Sequence, residues 1–302
     1  MATAIQQRLI DLAADIATSP PEDLAFTHSV LAQTCLPTTR PPQGMRRWER
    51  QQGRATLLVQ AGEAIDPRTQ KFIKLPLPYG PKARLLLMHL NTEAVRRQSP
   101  IIPVEDSMTA FFRRLMGRTL DGRQIRMLKD QLTSLATATF SLGIMQGEDT
   151  ALQVDTKVVT AFNLWFPKND AQRVLWPSVL RLSLDYYESL TRFAVPLDER
   201  ALAALSHSAT ALDIYCWLAQ RLHRIPLAKP QLVPWSGLYD QFSHGYREIR
   251  KFRRDFLKLL TQVKAAYPDA KLFDDHRGIT LATSPPPVSK RVIQVSTLSA
   301  GS

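Results

Sequence analysis

The sequence contains few cysteines and no long apolar run. Cys35 and Cys216 are its two thiols, too few for a disulfide framework or a zinc site of four thiolates. No apolar stretch approaches the roughly 20 residues that cross a bilayer. Asp11 and Asp15 also interrupt the region where a signal peptide would be apolar. We therefore expect two free thiols, with Cys216 in a core, in a cytoplasmic globular protein.

Acidic residues are scarce relative to basic ones. The chain has 27 Asp and Glu against 39 Lys and Arg, which gives a net charge of +12 and a pI near 10.0. This excess favours a polyanionic partner, either nucleic acid or an anionic membrane surface. Because no spanning segment is present, nucleic acid is the better choice and no membrane association is expected. A length of 302 residues, 44% of them hydrophobic, predicts roughly two packed domains.

Residue patterns typical of enzymes are missing. The histidines are scattered singly, and no glycine-rich phosphate loop ends in a lysine. Tyr186 and Tyr187 resemble the paired nucleophiles of nicking enzymes, but that chemistry needs a metal held by closely spaced histidines. Asp274, Asp275 and His276 fall at a predicted hairpin tip and are interpreted as a polar turn. We expect no catalytic residues, no metal and no cofactor, with a nicking or priming enzyme as the alternative from another class.

One short segment places cations along one side of a predicted helix. At about 100° per residue its apolar side chains share one stripe, which comprises Ile249, Phe252, Phe256, Leu259, Leu260 and Val263. The opposite stripe is cationic and comprises Arg247, Lys251, Arg254 and Lys258, with Arg250 beside it. Cations four residues apart repel each other, so stability alone does not favour this pattern. It indicates a surface for a polyanion, and a solvated surface is the alternative.

Both halves of the chain predict the same order of elements. After an N-terminal helix and a proline-rich linker, the first half predicts a strand at 54–61, a helix at 83–97, a strand at 101–104, a helix from Asp106, a turn at 119–122, a helix from Arg123, and β-rich segments at 137–145 and 151–166. The second half predicts helices at 197–205 and 209–222, a strand at 231–235, a helix at 236–242, the basic helix after Gly245, and strands at 271–275 and 278–284. A helix-turn-helix followed by a β-hairpin is the layout of a winged helix.

The predicted fold is therefore α+β, with two tandem winged-helix domains and a flexible N-terminal arm. The predicted boundaries are 1–50 for the N-terminal helix and linker, 51–170 and 171–288 for the two domains, and 289–302 for a disordered tail. Disorder is expected from Ser284 onward because of the prolines that follow it.

Candidate DNA-binding residues lie on the helix pair of each half. In the first half they are Arg113 and Arg114 near phosphates, Arg118, and Arg123, Gln124, Arg126 and Lys129 on the second helix of the pair. In the second half they are Tyr246, Arg247, Arg250, Lys251, Arg254 and Lys258. The first helix of such a pair crosses the DNA backbone and the second enters the major groove, where arginine reads guanine and glutamine reads adenine. The alternatives are surface charge for the cations, a helix-start position for Gln124 and local packing for Tyr246.

Several longer motifs carry a resemblance to a known family. They are Gln33-Thr-Cys-Leu-Pro, Leu77-Pro-Tyr-Gly-Pro-Lys-Ala-Arg, Asp106-Ser-Met-Thr-Ala-Phe-Phe-Arg-Arg, Ala211-Leu-Asp-Ile-Tyr-Cys-Trp, Pro234-Trp-Ser-Gly-Leu-Tyr-Asp and Gly278-Ile-Thr-Leu-Ala-Thr-Ser-Pro. In this order, over roughly residues 30–288, the chain resembles the RepA-type plasmid replication initiators.

The resemblance implies a function more specific than DNA binding. It implies binding to repeated double-stranded sites in a plasmid origin, local opening of the duplex, and recruitment of host DnaA and DnaB. It also implies a homodimer that represses its own promoter, a monomer that initiates, and a location in the bacterial cytoplasm with the nucleoid or plasmid. A winged-helix transcriptional repressor is the alternative within DNA-binding proteins, and an origin-nicking or priming enzyme is the alternative of another class.

Overall fold

The computed structural model describes residues 4–66, 69–103, 105–116, 120–147, 149–161 and 179–289. The N-terminal half contains α1 (Ala4–Thr18), β1 (Leu24–His28), α2 (Ser29–Thr34), β2 (Arg47–Gln52), β3 (Ala55–Gln60), β4 (Glu63–Asp66), β5 (Lys71–Lys74), α3 (Gly80–Arg97), β6 (Ile101–Pro103), α4 (Glu105–Met116), α5 (Gly122–Thr137), β7 (Thr139–Met145), β8 (Ala151–Lys157), β9 (Val159–Ala161) and β10 (Val179–Leu182).

The C-terminal half follows directly. It contains α6 (Leu184–Phe193), β11 (Ala194–Asp198), α7 (Glu199–Leu205), α8 (Ala209–Arg221), β12 (Gln231–Pro234), α9 (Trp235–Phe242), α10 (Ile249–Ala266), β13 (Leu272–Asp274) and β14 (Gly278–Leu281). The protein is therefore of mixed α and β structure, as the sequence predicts.

Both halves contain a helix, a strand, a pair of helices and a small antiparallel sheet. In the C-terminal half these are α8, β12, α9 and α10, and the sheet order is β12-β14-β13. In the N-terminal half they are α3, β6, α4 and α5, and the sheet order is β6-β10-β9. In each sheet the strand that precedes the helix pair therefore pairs with the last strand of the unit. The repeated order of elements predicted from the sequence is confirmed.

The strands that follow α5 differ from the prediction in their partners. β7 and β8 do form a hairpin, but it extends a four-stranded sheet of order β2-β3-β7-β8. The strand that precedes the helix pair, β6, pairs instead with β10, whose other neighbour is β9. β10 is not among the strands predicted from the sequence, and part of the predicted segment 151–166 lies outside the described residues. The prediction that the β7–β8 hairpin completes the sheet of the first unit is therefore wrong.

The N-terminal segment is packed into the molecule, so the predicted flexible arm is wrong for residues 24–36. All five residues of β1 are buried, and the strand pairs antiparallel with β11 from Leu24 opposite Asp198 to His28 opposite Ala194. Burial of its apolar side chains stabilises this pairing. The prolines near β1 led to the prediction of a linker instead of a strand. The preceding α1 packs against α7 and α10 through its half-buried leucines and Ile16.

The predicted disorder from Ser284 is also wrong for residues 284–289. Ser284 and Val288 are both buried, and Val288 packs against Leu24 and Phe26 of β1. The hydroxyl of Tyr267 donates a hydrogen bond to the carbonyl of Pro285. Residues 290–302 lie outside the described part of the chain.

A continuous cluster of buried side chains runs through both halves. At its centre, Arg84 of α3 forms two hydrogen bonds to the carboxylate of Asp213 of α8, with N–O distances of 2.6 and 2.7 Å. Arg84 also donates to the carbonyls of Leu36, Pro37 and Gly80. Cys35 and Cys216 are both free and Cys216 is buried, as predicted; Cys35 is buried as well. The domain boundaries at 50, 170 and 288 stay a prediction.

Candidate nucleic-acid interface

Helix α10 has the predicted apolar side. Phe252, Phe256, Leu260 and Val263 are buried, with Leu259 half-buried beside them. Ile249 was predicted to share this stripe, but it is 49% exposed. The reason is that Ile249 is the first residue of the helix, directly after Glu248 in extended conformation, and so lies at the edge of the packed surface.

The cations of α10 are on its exposed side. Arg250, Lys251, Arg254 and Lys258 are all exposed. Arg254 approaches the neighbouring carboxylate of Asp255 at 3.3 Å, an exposed contact that neutralises little charge. The helix therefore offers its cationic side to solvent, opposite the core.

Arg247 is exposed but precedes α10. The sequence analysis placed it one turn before Lys251 on the same helix, whereas the chain at Gly245 has φ +91° and at Glu248 is extended. The prediction that Arg247 belongs to the helical stripe is therefore wrong. It lies in the turn between α9 and α10, and its contact with DNA stays a prediction.

The start of α10 is unusual in its electrostatics. Glu248 occupies the N-cap position without a side-chain hydrogen bond, and the first turn contains no acid but does contain Arg250 and Lys251. The N-terminus of a helix carries partial positive charge, so cations are unfavourable there and anions are favourable. An anion bound at this end of α10 would therefore stabilise the helix, because the described residues supply no capping group there.

Tyr246 packs at the turn into α10. Its ring lies edge-on to Phe252 at a centroid distance of 5.5 Å, and its carbonyl accepts a hydrogen bond from the Tyr239 hydroxyl at 2.8 Å. Burial and the nearby Asp255 raise the pKa of its phenol. The phosphate contact predicted for Tyr246 is untested, and it competes with this local packing.

Arg253 fixes the hairpin turn between β13 and β14 beside α10. The Asp275 carbonyl accepts hydrogen bonds from Arg253 at 3.2 Å and from the Trp235 indole at 3.0 Å. The guanidinium carbon of Arg253 lies 4.8 Å from the Trp235 ring centroid. Trp235 is buried, and Asp275 pairs with Arg277 at 3.0 Å, which supports the predicted polar turn. Sequence analysis missed the role of Arg253 because it lies between the two stripes.

Helix α5 has fewer fully exposed cations than α10. Arg123 and Arg126 are exposed, and Lys129 is half-buried, where burial lowers the pKa of its ammonium to about 8. Both Arg126 and Lys129 interact with other groups of the protein. The apolar stripe is close to the prediction, with three buried leucines and Ile125 half-buried.

Gln124 completes a capping box at the start of α5. Its backbone N–H donates to the Asp121 carboxylate at 2.7 Å, and its side-chain oxygen accepts from the Asp121 N–H at 3.2 Å. This arrangement satisfies two amide groups that the helix itself cannot satisfy. The helix-start role considered from the sequence is thus present, and the adenine contact stays a prediction.

On α4, Arg113 is exposed, whereas Arg114 is held by an acid of the other half. Arg114 donates to the two carboxylate oxygens of Glu199 at 2.7 and 3.2 Å, and Glu199 itself is buried. The predicted contact of Arg114 with phosphate therefore competes with an ion pair inside the protein. Arg118, the remaining candidate, lies outside the described residues.

Lys82 is a cation near the start of α5 that the sequence analysis missed. Its ammonium lies 3.7 Å from the sulfur of Met127, and Asp121 and Arg123 both influence it electrostatically. Desolvation by burial lowers its pKa. It follows Gly-Pro at the beginning of α3, where its position next to α5 depends on tertiary packing.

The tyrosine pair is not arranged as an accessible pair of nucleophiles. Tyr186 is fully buried, and its hydroxyl donates to the Asn91 side chain at 2.9 Å. Burial raises the pKa of this phenol, so its reactive anion is disfavoured. Among the described residues, no three His, Cys, Asp or Glu side chains are grouped as a metal site. None of the described helices is long and apolar enough to cross a membrane.

Two solved structures share the fold. Both are crystal structures of domains 2 and 3 of RctB, one of them of selenomethionine derivatives. The selenomethionine structure has 13% sequence identity and a TM-score of 0.50, and the match covers 84% of this chain and 98% of that one. The other has 11% identity and a TM-score of 0.50, with 90% and 99% covered.

The sequence comparison shows the family. The family model described as plasmid-encoded RepA protein matches residues 77–236, more than half of the chain. No curated protein matches the sequence. The chain belongs to the RepA-type plasmid replication initiators, as the motifs predicted.

Proposed function

We propose that this chain starts plasmid replication by binding repeated double-stranded DNA sites at the origin. The observation that carries the proposal is the exposed cationic side of α10, which lies opposite a buried apolar side. The helix begins without a side-chain capping hydrogen bond and without an acid in its first turn. Such a helix end attracts phosphate, and its arginines can donate in pairs to phosphate or to guanine edges. The overall charge of +12 attracts DNA to this surface.

We further propose that each half is a winged-helix domain. Three observations support this: the helix pair, the small sheet whose first strand pairs with its last, and the turn between β13 and β14 fixed beside α10. In this arrangement α10 and α5 each enter a major groove, while α9 and α4 cross the backbone. Lys251, Arg254 and Lys258 then contact phosphates or bases along one groove.

The biological steps after binding come from the family. We propose that binding opens the adjacent duplex and recruits host DnaA and DnaB in the bacterial cytoplasm. A homodimer represses its own promoter and a monomer initiates. The chain itself performs no chemical reaction, and the burial of Tyr186 supports this because a nicking tyrosine must reach a phosphodiester.

Sequencing the duplex fragments that the purified protein protects from nuclease tests the proposal. Tandem repeats within a plasmid origin are expected, whereas a single palindrome within a promoter would favour the transcriptional repressor. Permanganate reactivity of thymines next to the repeats should rise on binding if the duplex opens. Metal-dependent cleavage of an end-labelled origin strand would instead establish a nicking enzyme.

A further inference from the structure

Strand β2 places one arginine in an environment without acids. Its side chains alternate, so Arg47 and Glu49 share one face and form an ion pair at 2.7 Å. Trp48 and Arg50 point to the other face, where Trp48 is buried. The Arg50 guanidinium carbon lies 4.1 Å from the Trp48 ring centroid. Its Nε is buried and has no hydrogen-bond partner among the described residues.

The same tryptophan contacts the turn that leads into α10. His244 lies edge-on to Trp48 at a ring-centroid distance of 4.6 Å, and it directly precedes Gly245, Tyr246 and Arg247. The Trp48 indole donates to the Cys35 carbonyl at 3.1 Å, which fixes its orientation. Arg50 of the N-terminal half is thereby held close to the cationic turn of the C-terminal half.

The charge of Arg50 is not balanced by the described residues around it. Burial lowers the pKa of Arg50, and the one group that raises it is the Cys35 thiol, not a carboxylate. The pKa of His244 is lowered by burial and by the positive charges of Arg50 and Arg84. Arg84 already has its own carboxylate, that of Asp213. The carboxylate of Glu49 is on the opposite face of the strand, paired with Arg47.

A stacked arginine alone does not account for this arrangement. Contact with the Trp48 face stabilises the guanidinium charge, but a ring face leaves the N–H groups in the guanidinium plane without acceptors. The Arg50 side chain as a whole is half-buried, so beyond the buried Nε its terminal N–H groups can donate two parallel hydrogen bonds to a phosphate oxyanion. Arg50 thus has the geometry and the charge for an anion that the isolated chain does not contain.

We propose that Arg50 binds a phosphate group of the DNA backbone at the turn into α10, with His244 beside the same phosphate. This inference rests on the proposed DNA binding and extends it, because a residue of the N-terminal half then contacts the duplex read by the C-terminal half. One phosphate at this position fixes the register of α10 in its groove. It also links the orientation of the two halves to the path of the DNA.

The first test compares two arginines on opposite faces of one strand. Arg50→Met should weaken binding to a random-sequence duplex about tenfold. It should also lower the slope of log affinity against log salt by about 0.9, the value for one phosphate contact. Arg47→Met, the matched control, should change neither quantity. Because the half-buried guanidinium of Arg50 has no carboxylate partner among the described residues, the melting temperature of the Arg50→Met protein should stay the same or rise.

The second test locates the phosphate. Neutral methylphosphonates are substituted one position at a time in a duplex selected by the wild-type protein. At one position the substitution should weaken DNA binding by the wild-type protein about tenfold. It should leave DNA binding by the Arg50→Met protein unchanged, because that protein has already lost the contact with this phosphate. Inorganic phosphate added at millimolar concentration should not change the melting temperature of either protein.

The results that differ from these expectations contradict either the Arg50 site alone or the proposed function as well. If the α10 cations support duplex binding but Arg50→Met binds like wild type, the Arg50 site is wrong and the proposed function stands. If Arg50→Met melts at a lower temperature and binds DNA normally, Arg50 is a structural cation on Trp48. If phosphate stabilises the wild-type protein but not the Arg50→Met protein, the site takes free phosphate. A wild-type protein that binds no duplex overturns the proposed function as well.

Discussion

The helices α5 and α10 occupy equivalent places in the two halves, but their charges are arranged differently. α5 begins with the Asp121 capping box, and the helix before it carries Arg114 in an ion pair with Glu199. α10 begins without a side-chain cap and has two cations in its first turn. The protein itself caps the start of α5, whereas the N-cap side chain of α10 forms no capping hydrogen bond.

This difference predicts how the two halves would divide the proposed DNA binding. A cation that already contacts a carboxylate gains less from a phosphate than an exposed cation does, because its charge is partly compensated. We therefore expect α10 to supply most of the phosphate contacts. α5 should contribute fewer contacts in a position that its cap has already fixed.

The largest expected effect comes from the contact between the halves. Arg84→Met leaves the buried Asp213 without its partner and should lower the free energy of unfolding by about 3–5 kcal/mol. The double variant Arg84→Met with Asp213→Leu removes both charges and should recover most of that loss. Urea denaturation of the three proteins measures the difference. A single variant as stable as wild type would mean that the pair does not join the halves.

A smaller effect should distinguish the starts of the two helices. Asp121→Ala removes the N-cap of α5 and should cost about 1 kcal/mol of unfolding free energy. Glu248→Ala at the equivalent position of α10 should cost almost nothing, since its side chain forms no capping hydrogen bond. Denaturant midpoints of both variants test the contrast. Equal losses would contradict the assignment of α10 as the uncapped helix.

The smallest effect concerns the pH dependence of α5. The pKa of Lys129 is about 8 in the folded protein and near its ordinary value of 10.5 when unfolded. Between these values the unfolded chain binds more protons, so stability should rise with pH across that window. Lys129→Met should remove this rise and stabilise the protein at pH 7. Thermal melts from pH 7 to about pH 10 follow the effect, and parallel curves for the two proteins would contradict it.

The local parts of the fold were predictable from the sequence, and the long-range parts were not. The buried residues Leu128, Leu132, Phe252 and Phe256 follow from helical spacing alone, because neighbours three and four residues apart share one side of a helix. The pairing of β1 with β11 joins segments that are far apart in sequence. No local pattern specifies that partner, so the segment looked like a linker.

The candidate site shows the same limit. Exposure of the α10 cations was predictable because the apolar side chains fix the rotation of the helix. The partner of Arg114 is 85 residues away, and the surroundings of Arg50 combine three segments of the chain. Whether an arginine is neutralised inside the protein depends on such contacts, and residue type and spacing do not reveal them.

The most direct test of this account is the salt dependence of duplex binding for two sets of substitutions. Replacing Arg247, Lys251, Arg254 and Lys258 with glutamine should flatten the slope of log affinity against log salt by about 0.9 for each phosphate contact that is lost. The same replacement of Arg123, Arg126 and Lys129 on α5 should flatten it less. The α10 variant should fold normally because its four side chains are exposed. The α5 variant should fold as well, since Arg123 and Arg126 are exposed and Lys129 is half-buried. An unchanged slope in a folded α10 variant would contradict the assignment of α10 as the main DNA-binding helix.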